Sequence, residues 1–404
     1  MAEELVDQPD KTAEVAETAE FRFTDEQAQL RAAVRKFCAD YFDEQTVRSH
    51  MESEPRFDPA VWARLGAELG VLGLAVPEAD GGAGGTLVDQ AVAVEQLGAS
   101  LACGPLFGTV YLSIPALVAV SANPVRDELL GALVEGTRTA AFAVPDRAGA
   151  FDAALVTVTA AANATLTGTV ERIVDGAAAS VFLVAATAPD GPGLYAVDAP
   201  AVQRTPLTTL DLTRPQATIT LADAPARLVA GPDQADRVIA HALRVGAALL
   251  AAEQVGAAQH LLNLSVGYAK SRLQFGRPIG SFQAVKHRLA DDLVELEHAR
   301  SAAYHAVWAL TDGSDDAALV ASIAQATASA ALTKIAADTI QVHGGIGFTW
   351  EHQAHLYFKR ATTDAALLGT AEAHRARVAE MILDQAVLDQ ATVARAPRVA
   401  TGSN

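Results

Sequence analysis

The segment ADRVIAHALRVGAALLAAEQVGAAQHLLNLSVGYAKSRLQ, residues 235–274, decides the fold. Its apolar residues keep the period of an α-helix over a very long run, and alanine and glycine are frequent in it. Two further long segments of this kind follow at residues 283–310 and 316–343, and a shorter one begins at residues 351–361. Because small residues allow helices to pack closely, we predict a four-helix bundle in this part of the chain.

Two other regions precede the bundle. The first is helical and begins at Thr24, which forms the pattern of a capping box with Gln27. The second contains short apolar or alternating runs, such as AALVTVT at residues 153–159, separated by Pro, Gly and Asp, and these predict a small antiparallel β domain. The resulting α+β fold has predicted regions at residues 1–21 (disordered tail), 22–135 (helical domain), 136–232 (β domain), 233–385 (bundle) and 386–404 (C-terminal tail).

The charge balance of the chain excludes several classes of partner. The 404 residues include 30 Lys and Arg against 48 Asp and Glu, which gives a net charge of −18. Such a chain is unsuited to nucleic acid or to an anionic membrane surface, both of which attract basic proteins. A small anionic ligand remains compatible with it, since that ligand needs only a local basic pocket.

The cysteines and the N-terminus predict the compartment. Cys38 and Cys103 provide neither a disulfide framework nor the spacing of a zinc site, so we predict two buried thiols and no metal. The N-terminus lacks the basic and apolar regions of a signal peptide, and the apolar runs look too short and interrupted to span a bilayer. We therefore expect a soluble, cytoplasmic protein.

A basic cluster stands out in this acidic chain, in SRLQFGRPIGSFQAVKH at residues 271–287. Arg272 and Arg277 offer guanidinium groups for a phosphate, Phe275 offers a ring face, and Gln283 offers a polar contact. The alternative is structural, with Arg272 complementing a helix dipole and Gly-Arg-Pro forming a turn.

A glycine-rich segment, QVHGGIGFTW at residues 341–350, follows the third long helical run. One glycine is enough to end a helix, because glycine adopts positive φ without steric cost. Three glycines in four residues also let the backbone approach a ligand closely. Both interpretations stay open on the residues alone.

These segments resemble motifs of one enzyme family. RLQFGRPIGSFQAVKHRLAD (residues 272–291) resembles the Arg-x-x-Phe-Gly…Gln segment of acyl-CoA dehydrogenases, QVHGGIGFTWEH (341–352) resembles their Gln-x-x-Gly-Gly-x-Gly-Phe segment, and GLAVPEADGGAG (73–84) resembles their N-terminal loop. The resemblance spans residues 24–385. It implies an enzyme that holds FAD between the subunits of a dimer or a dimer of dimers and dehydrogenates an acyl-CoA thioester. It also implies an electron-transfer flavoprotein as acceptor.

The resemblance assigns a cofactor role to eight residues. Arg272 and Phe275 are expected to contact the diphosphate and adenosine of a neighbouring subunit's FAD, and Phe282 and Gln283 to extend that wall. Gln341, Gly344 and Gly345 are expected to contact the adenine end. Thr370, in the Gly-Thr pair of AALLGTAEAH (365–374), is the eighth.

The catalytic carboxylate implied by the resemblance is missing. Removal of a thioester α-proton requires a positioned base, but the two positions where the family places its Glu hold Leu368 and Gly246. Glu253 lies seven residues after Gly246, on the same predicted helical face about 10 Å along. Glu253 is therefore the candidate base. The alternative is a structural carboxylate that pairs with a residue such as Arg244 or His260.

Contacts to the flavin ring are also reduced. The family's hydroxyl-bearing loop is matched by AFAVPDRAGAF (141–151), and its Trp-Ile-Thr or Trp-Ile-Ser segment by Arg172, Ile173 and Val174. Three hypotheses follow: a dehydrogenase that uses Glu253, a subunit that completes the FAD site of a different acyl-CoA dehydrogenase-like chain, or a flavin oxidase or monooxygenase of the same fold. For the second hypothesis, the resemblance is to heteromeric members of the family that act on large CoA thioesters, including those of steroid side chains. It therefore implies a substrate of that class.

Overall fold

The computed structural model describes residues 22–313 and 316–395, with side chains as far as residue 383. The predicted tail at residues 1–21 lies outside this part of the chain, as do residues 396–404. The predicted C-terminal tail nevertheless begins too early, since the last helix continues to Arg395.

The N-terminal region is helical. Thr24 caps its first helix as predicted, since the Thr24 side chain accepts a hydrogen bond from the Gln27 amide at 3.2 Å and the Gln27 side chain accepts one from the Thr24 amide at 3.1 Å. The helices are α1 (Asp25–Tyr41), α2 (Glu44–Glu52), α3 (Pro59–Ala67), α4 (Leu87–Ala99), α5 (Ile114–Ala119) and α6 (Pro124–Val134), and a buried π-helical segment, Phe107–Ser113, leads into α5.

The middle region is a β domain built on an eight-stranded sheet. The strands of this domain, in the sheet and in a separate hairpin, are β1 (Ala140–Ala143), β2 (Asp146–Arg147), β3 (Ala150–Phe151), β4 (Thr159–Ala160), β5 (Thr165–Val174), β6 (Val181–Ala188), β7 (Gly191–Asp198), β8 (Gln203–Pro206), β9 (Gln216–Pro225) and β10 (Arg227–Ala230). The sheet order is β10-β7-β6-β4-β5-β9-β8, with β1 paired to β6. The strands β2 and β3 form a separate small hairpin.

The sheet is mixed, whereas the sequence predicted an antiparallel one. The pairs β1–β6 and β4–β6 are parallel, and the other pairs are antiparallel. Two parallel strands need a long connection between them. Strand β1 can pair with β6 in this way because four strands lie between them in the chain, which gives ample length for a crossover. The expected strand at residues 153–159 is instead a short 3-10 turn, Ala153–Leu155, followed by the two-residue β4.

The C-terminal region contains the predicted long helices. These are α7 (Ala235–Ser271), α8 (Gln283–Asp312), α9 (Ala317–His343), α10 (Ala354–Asp364) and α11 (Ala371–Arg395), and a small hairpin of β11 (Leu273–Gln274) and β12 (Arg277–Pro278) joins α7 to α8. Helix α9 packs against α7, α8 and α11, and α7 also packs against α8. These four long helices form the bundle, so its fourth member is α11 and not the shorter helix predicted at residues 351–361, which is α10.

Two helical segments, Ala235–Ser271 and Ala317–Phe348, are long and apolar enough to cross a membrane by length and composition, contrary to the expectation from the apolar runs. Their most apolar windows are 83% and 61% buried inside the protein, as core helices are.

A close crossing of α4 and α7 fixes the centre of the molecule. A Cβ atom added to Gly256 on α7 would lie 1.8 Å from the Glu95 carbonyl oxygen on α4, and one added to Gly98 on α4 would lie 2.3 Å from the Glu253 carbonyl oxygen on α7. The two backbones therefore touch, and they can do so only because both positions are glycine. This contact places Glu253 in the interior.

Candidate functional site

A cavity of about 510 Å³ lies where the β domain meets the helices, a volume within the usual range for small-molecule sites. Its walls come from the π-helical segment, the loop between β1 and β2, strand β5, α7 and the turn between α10 and α11. The lining residues are Phe107, Leu112, Phe142, Val144, Pro145, Asp146, Leu155, Thr157, Thr169, Val170, Glu171, Arg172, Ile173, Val174, Leu243, Leu367 and Leu368. We call this space the central cavity.

Leu368 closes one wall of the central cavity without contributing a functional group. Its side chain is buried, and its backbone lies in the left-handed region with φ of 55°. The His374 ring shares a hydrogen bond of 2.7 Å with the Leu368 carbonyl oxygen, which holds the turn. The side chain is apolar, so the position supplies no proton acceptor.

Asp146 is the half-buried carboxyl among the cavity residues. It accepts a hydrogen bond from the Gly149 amide at 2.8 Å. Burial raises the pKa of Asp146 despite this bond. Glu171 and Arg172, the other ionisable groups of the lining, are exposed.

Gly246, the second position expected to carry a base, is covered by the π-helical segment. A Cβ atom added there would lie 2.5 Å from the Leu112 Cδ2 atom. The neighbouring Ala247 is also buried. The segment therefore packs directly onto α7 where the resemblance places a carboxylate, and no side chain fits unless Leu112 moves.

Glu253 lies in a buried ion network instead of the central cavity. The Arg214 Nη2 atom donates to both carboxylate oxygens at 2.5 and 2.7 Å, the Arg360 Nη1 atom donates to Oε1 at 2.5 Å, and the Tyr111 hydroxyl donates to Oε2 at 2.7 Å. Burial alone favours the protonated form, but the charges of the two guanidinium groups outweigh it and lower the pKa of Glu253 to about 2.

This geometry favours the structural alternative for Glu253. A catalytic base must accept a proton and so lose its negative charge. Here two neighbouring guanidinium groups keep the carboxylate ionised. The partners differ from those expected from the sequence: His260 pairs with Gln353 at 2.8 Å and stacks on Tyr357, and Arg244 lies at a different cavity.

Two further carboxyl groups, Asp211 and Asp364, belong to the network, and a third, Asp175, lies close enough to be affected by its charges. Asp211 accepts from Arg360 Nε at 2.8 Å, Asp364 accepts from Arg214 Nη1 at 2.8 Å, and Asp175 accepts from the Gly108 amide at 2.8 Å. Burial raises the pKa of both Asp175 and Asp364 to about 7. The network joins the β8–β9 loop to α7, α10 and the π-helical segment, so it fastens the β domain to the helices.

The predicted cofactor residues near β11 and β12 form an exposed surface. Phe275 is 90% exposed and has φ of 51°, which turns its ring outward. Its ring meets that of Phe282 edge-on at 6.0 Å, and the Arg277 guanidinium lies over the Phe282 ring at 4.2 Å. Arg272 and Gln283 are exposed beside them.

The glycine segment lies at the same end of the bundle. The Tyr268 and His343 rings, near the ends of α7 and α9, stack at 4.4 Å and bring the two helix ends together. Gly344 has φ of 65°, and a Cβ atom added to Gly344 or Gly345 would meet nothing within 4 Å. We call this end of the bundle, with Arg272, Phe275, Phe282, Gln283, Gln341, Gly344 and Gly345, the nucleotide face, after the cofactor contacts that the sequence resemblance leads us to expect there.

Thr370 is the one predicted cofactor residue outside the nucleotide face. It is exposed at the start of α11, next to the Leu368 turn, and its side chain accepts a hydrogen bond from the Ala373 amide at 3.2 Å. Among the described residues, no group of three or more His, Cys, Asp or Glu is arranged to hold a metal ion.

Comparison with known proteins identifies the family. The model of the acyl-CoA dehydrogenase N-terminal domain matches residues 24–137, and that of the C-terminal domain matches residues 237–383. Acyl-CoA dehydrogenase IpdE2 of Mycolicibacterium smegmatis is 37% identical over 352 residues, which cover 86% of this chain and 95% of that protein. The chain belongs to the acyl-CoA dehydrogenase family.

Solved structures agree with this family assignment. A steroid ACAD variant, Tcur3481-Tcur3483, shares 32% identity and a TM-score of 0.80 over 90% of this chain and 99% of that one. The ChsE4-ChsE5 complex of Mycobacterium tuberculosis shares 29% identity with the same TM-score and coverage. Acyl-CoA dehydrogenases are FAD-dependent oxidoreductases that act on the CH–CH bond of an acyl-CoA, and the predicted activity, cofactor and α+β fold are confirmed at this level.

The nucleotide face fits the cofactor of an acyl-CoA dehydrogenase. It offers exposed guanidinium groups for a diphosphate, an exposed ring for stacking and a glycine backbone open to close approach.

Sequence reasoning missed Arg214, Arg360 and Tyr111, the partners of Glu253. The local sequence gave little signal, since Arg360 follows Lys359 in a helix of mixed polar and apolar residues.

Proposed function

We propose that this chain is one subunit of a heteromeric acyl-CoA dehydrogenase and that its nucleotide face completes the FAD site of a different, acyl-CoA dehydrogenase-like partner. The observation that carries the proposal is an asymmetry. The outward-facing cofactor residues are present and exposed, whereas the chain's own base positions hold buried Leu368 and Gly246.

The residues of the chain have separate roles in this assembly. Arg272 neutralises phosphate charge, Phe275 covers a ring, and Gly344 and Gly345 let the backbone approach the nucleotide. FAD supplies the acceptor for the hydride that leaves Cβ of the thioester, and the carboxylate that takes the α-proton belongs to the partner subunit.

The exposed apolar surface at this end supports an assembly. Leu273, Phe275, Phe348 and Trp350 are 61%, 90%, 74% and 62% exposed. Large apolar side chains clustered at one end of a protein mark an interaction surface. The ChsE4-ChsE5 complex supports a partner from the same family, and the steroid ACAD supports a steroid-derived CoA thioester as the substrate class. An electron-transfer flavoprotein is the proposed acceptor.

Purification tests the proposal. The chain is expressed alone and together with each family member encoded near it, and flavin absorbance and acyl-CoA turnover are recorded. We expect FAD and turnover only in a mixed assembly. Bound flavin and turnover in the chain alone overturn the heteromer.

A matched pair of variants tests the nucleotide face within the mixed assembly. We expect Arg272→Gln to lower the flavin content, because it removes a cation from a diphosphate. We expect Arg64→Gln to leave it unchanged, because Arg64 lies on α3, outside the nucleotide face, and pairs with Glu68 just after that helix. Equal flavin content in the two variants overturns the assignment of this face.

A further inference from the structure

A second cavity, of about 210 Å³, lies beside the first half of α7 and the β2–β3 hairpin. It is lined by Gly149, Ala150, Phe151, Asp236, Ala240, Arg244 and Arg377. The hairpin contributes Asp146 to the central cavity and Gly149 to this one, so the two cavities are neighbours. The space is large enough for a phosphate or a diphosphate group.

Two half-buried guanidinium groups face this space without a paired carboxylate. The Arg244 Nε atom is buried and has no hydrogen-bond partner. The Arg377 Nη1 atom donates to the Ala148 carbonyl oxygen at 3.1 Å. In the part of the chain that the structure describes, neither arginine has a carboxylate within 4.0 Å, although Asp236 lines the same cavity.

The two arginines act on each other electrostatically. Burial and then the charge of Arg244 lower the pKa of Arg377, which shows that the two cations repel each other, while Asp316 at the start of α9 partly offsets this effect. The His374 ring, on α11 one turn before Arg377, adds no positive charge, because its Nε2 atom donates to the Leu368 carbonyl oxygen and burial lowers its pKa. In a chain with a net charge of −18, such a cluster has an excess of donors that one anion can satisfy.

We infer that Arg244 and Arg377 form a binding site for a phosphate group. Guanidinium groups bind phosphate oxygens through paired, charge-assisted hydrogen bonds, and an anion between the two arginines replaces their repulsion with attraction. One source of such a phosphate is the diphosphate of a CoA molecule that binds to this chain itself, so the inference goes beyond the proposed function, in which the reacting thioester lies at the partner's base. Free phosphate or pyrophosphate has the same chemistry and is the other source.

Calorimetric titration of the full-length chain with CoA, pantetheine and inorganic pyrophosphate tests the site. The variant is Arg244→Gln/Arg377→Gln, and the control is Arg237→Gln, an exposed arginine on α7 outside the cavity lining. We expect the double variant to weaken CoA and pyrophosphate binding by about tenfold to 100-fold, the loss of one or two charged hydrogen bonds. Pantetheine, which has no phosphate, is expected to bind equally to all forms.

The outcomes separate the two sources. Arginine-dependent binding of both pyrophosphate and CoA supports the proposal, and arginine-dependent binding of pyrophosphate alone overturns CoA as the source. Equal binding of pyrophosphate to the double variant and the wild type overturns the site. If the double variant does not fold, Arg377→Gln alone provides the same comparison, since Arg377 lies near the surface. Flavin content of the mixed assembly is a separate readout, so failure of this site is distinct from failure of the heteromer.

Discussion

Replacement of Glu253 by glutamine separates a structural carboxylate from a catalytic one. Glutamine keeps the size and one accepting oxygen of glutamate but removes the negative charge. In the network this leaves Arg214 and Arg360 facing a neutral group, while the Tyr111 hydroxyl can still donate to the amide oxygen. We therefore expect the change to reduce stability, because two buried cations lose their shared counter-charge.

Two routes give the same magnitude. Removal of one partner from a buried ion pair costs about 3–5 kcal/mol. Independently, a pKa of about 2 in the folded state against an ordinary 4.5 corresponds to about 3 kcal/mol at neutral pH. Because the folded-state pKa of Glu253 is depressed, this contribution is present above about pH 4.5 and is lost as the pH falls toward 2.

Urea unfolding at pH 7, followed by circular dichroism, measures the loss for Glu253→Gln. The control is Glu68→Gln, which removes the same charge from an exposed pair with Arg64 and is expected to leave stability nearly unchanged. Turnover of the mixed assembly, per folded molecule, is recorded alongside. Unchanged stability together with abolished turnover refutes the structural role and restores Glu253 as the base.

Three further predictions follow from contacts in the interior. Gly256→Ala is expected to destabilise the protein by about 3 kcal/mol or more, because the added methyl group meets the α4 backbone. The control is Gly267→Ala, which is exposed on the same helix with open space around it and is expected to stabilise the protein by about 0.5–1 kcal/mol. Urea unfolding measures the free energy of unfolding of both variants. For Asp364, whose pKa is raised to about 7, the contribution to stability is complete below about pH 4 and is lost as the pH rises through 7, by at most about 4 kcal/mol. Asp364→Asn is therefore expected to flatten the decline in unfolding free energy between pH 4 and pH 7, and an unchanged slope contradicts this assignment. Leu368→Glu is expected to give no acyl-CoA turnover in the chain alone, because the ring contacts of the β domain are reduced as well, and turnover by that variant contradicts the subunit proposal.

Local patterns in the sequence predicted much of the fold. The capping box at Thr24 forms as expected, and the long apolar periods became α7, α8 and α9. Strand β8 was missed because all four of its side chains are exposed, so the alternation that signals a half-buried strand is absent. The parallel pairing of β1 with β6 was missed because periodicity carries no information about strand direction.

The candidate site was predictable only where its residues are close in sequence. Arg272 and Phe275 are neighbours in one short loop, so their motif was visible. The partners of Glu253 are distant in the chain: Arg214 lies 39 residues before it and Arg360 lies 107 residues after it. Such a cluster forms only through tertiary packing, so sequence reasoning could offer Glu253 either as a base or as a structural carboxylate without naming its partners.

The packing of Leu112 onto Gly246 also constrains how this chain can evolve. A side chain added at Gly246 meets the Leu112 Cδ2 atom, so a carboxylate can return there only if the Leu112 side chain moves or a smaller residue replaces it. The intermediate with the smaller residue leaves a hole and gains no activity, so selection has nothing to favour along that route. Within the proposed assembly, packing of this kind works against the return of a base to this chain.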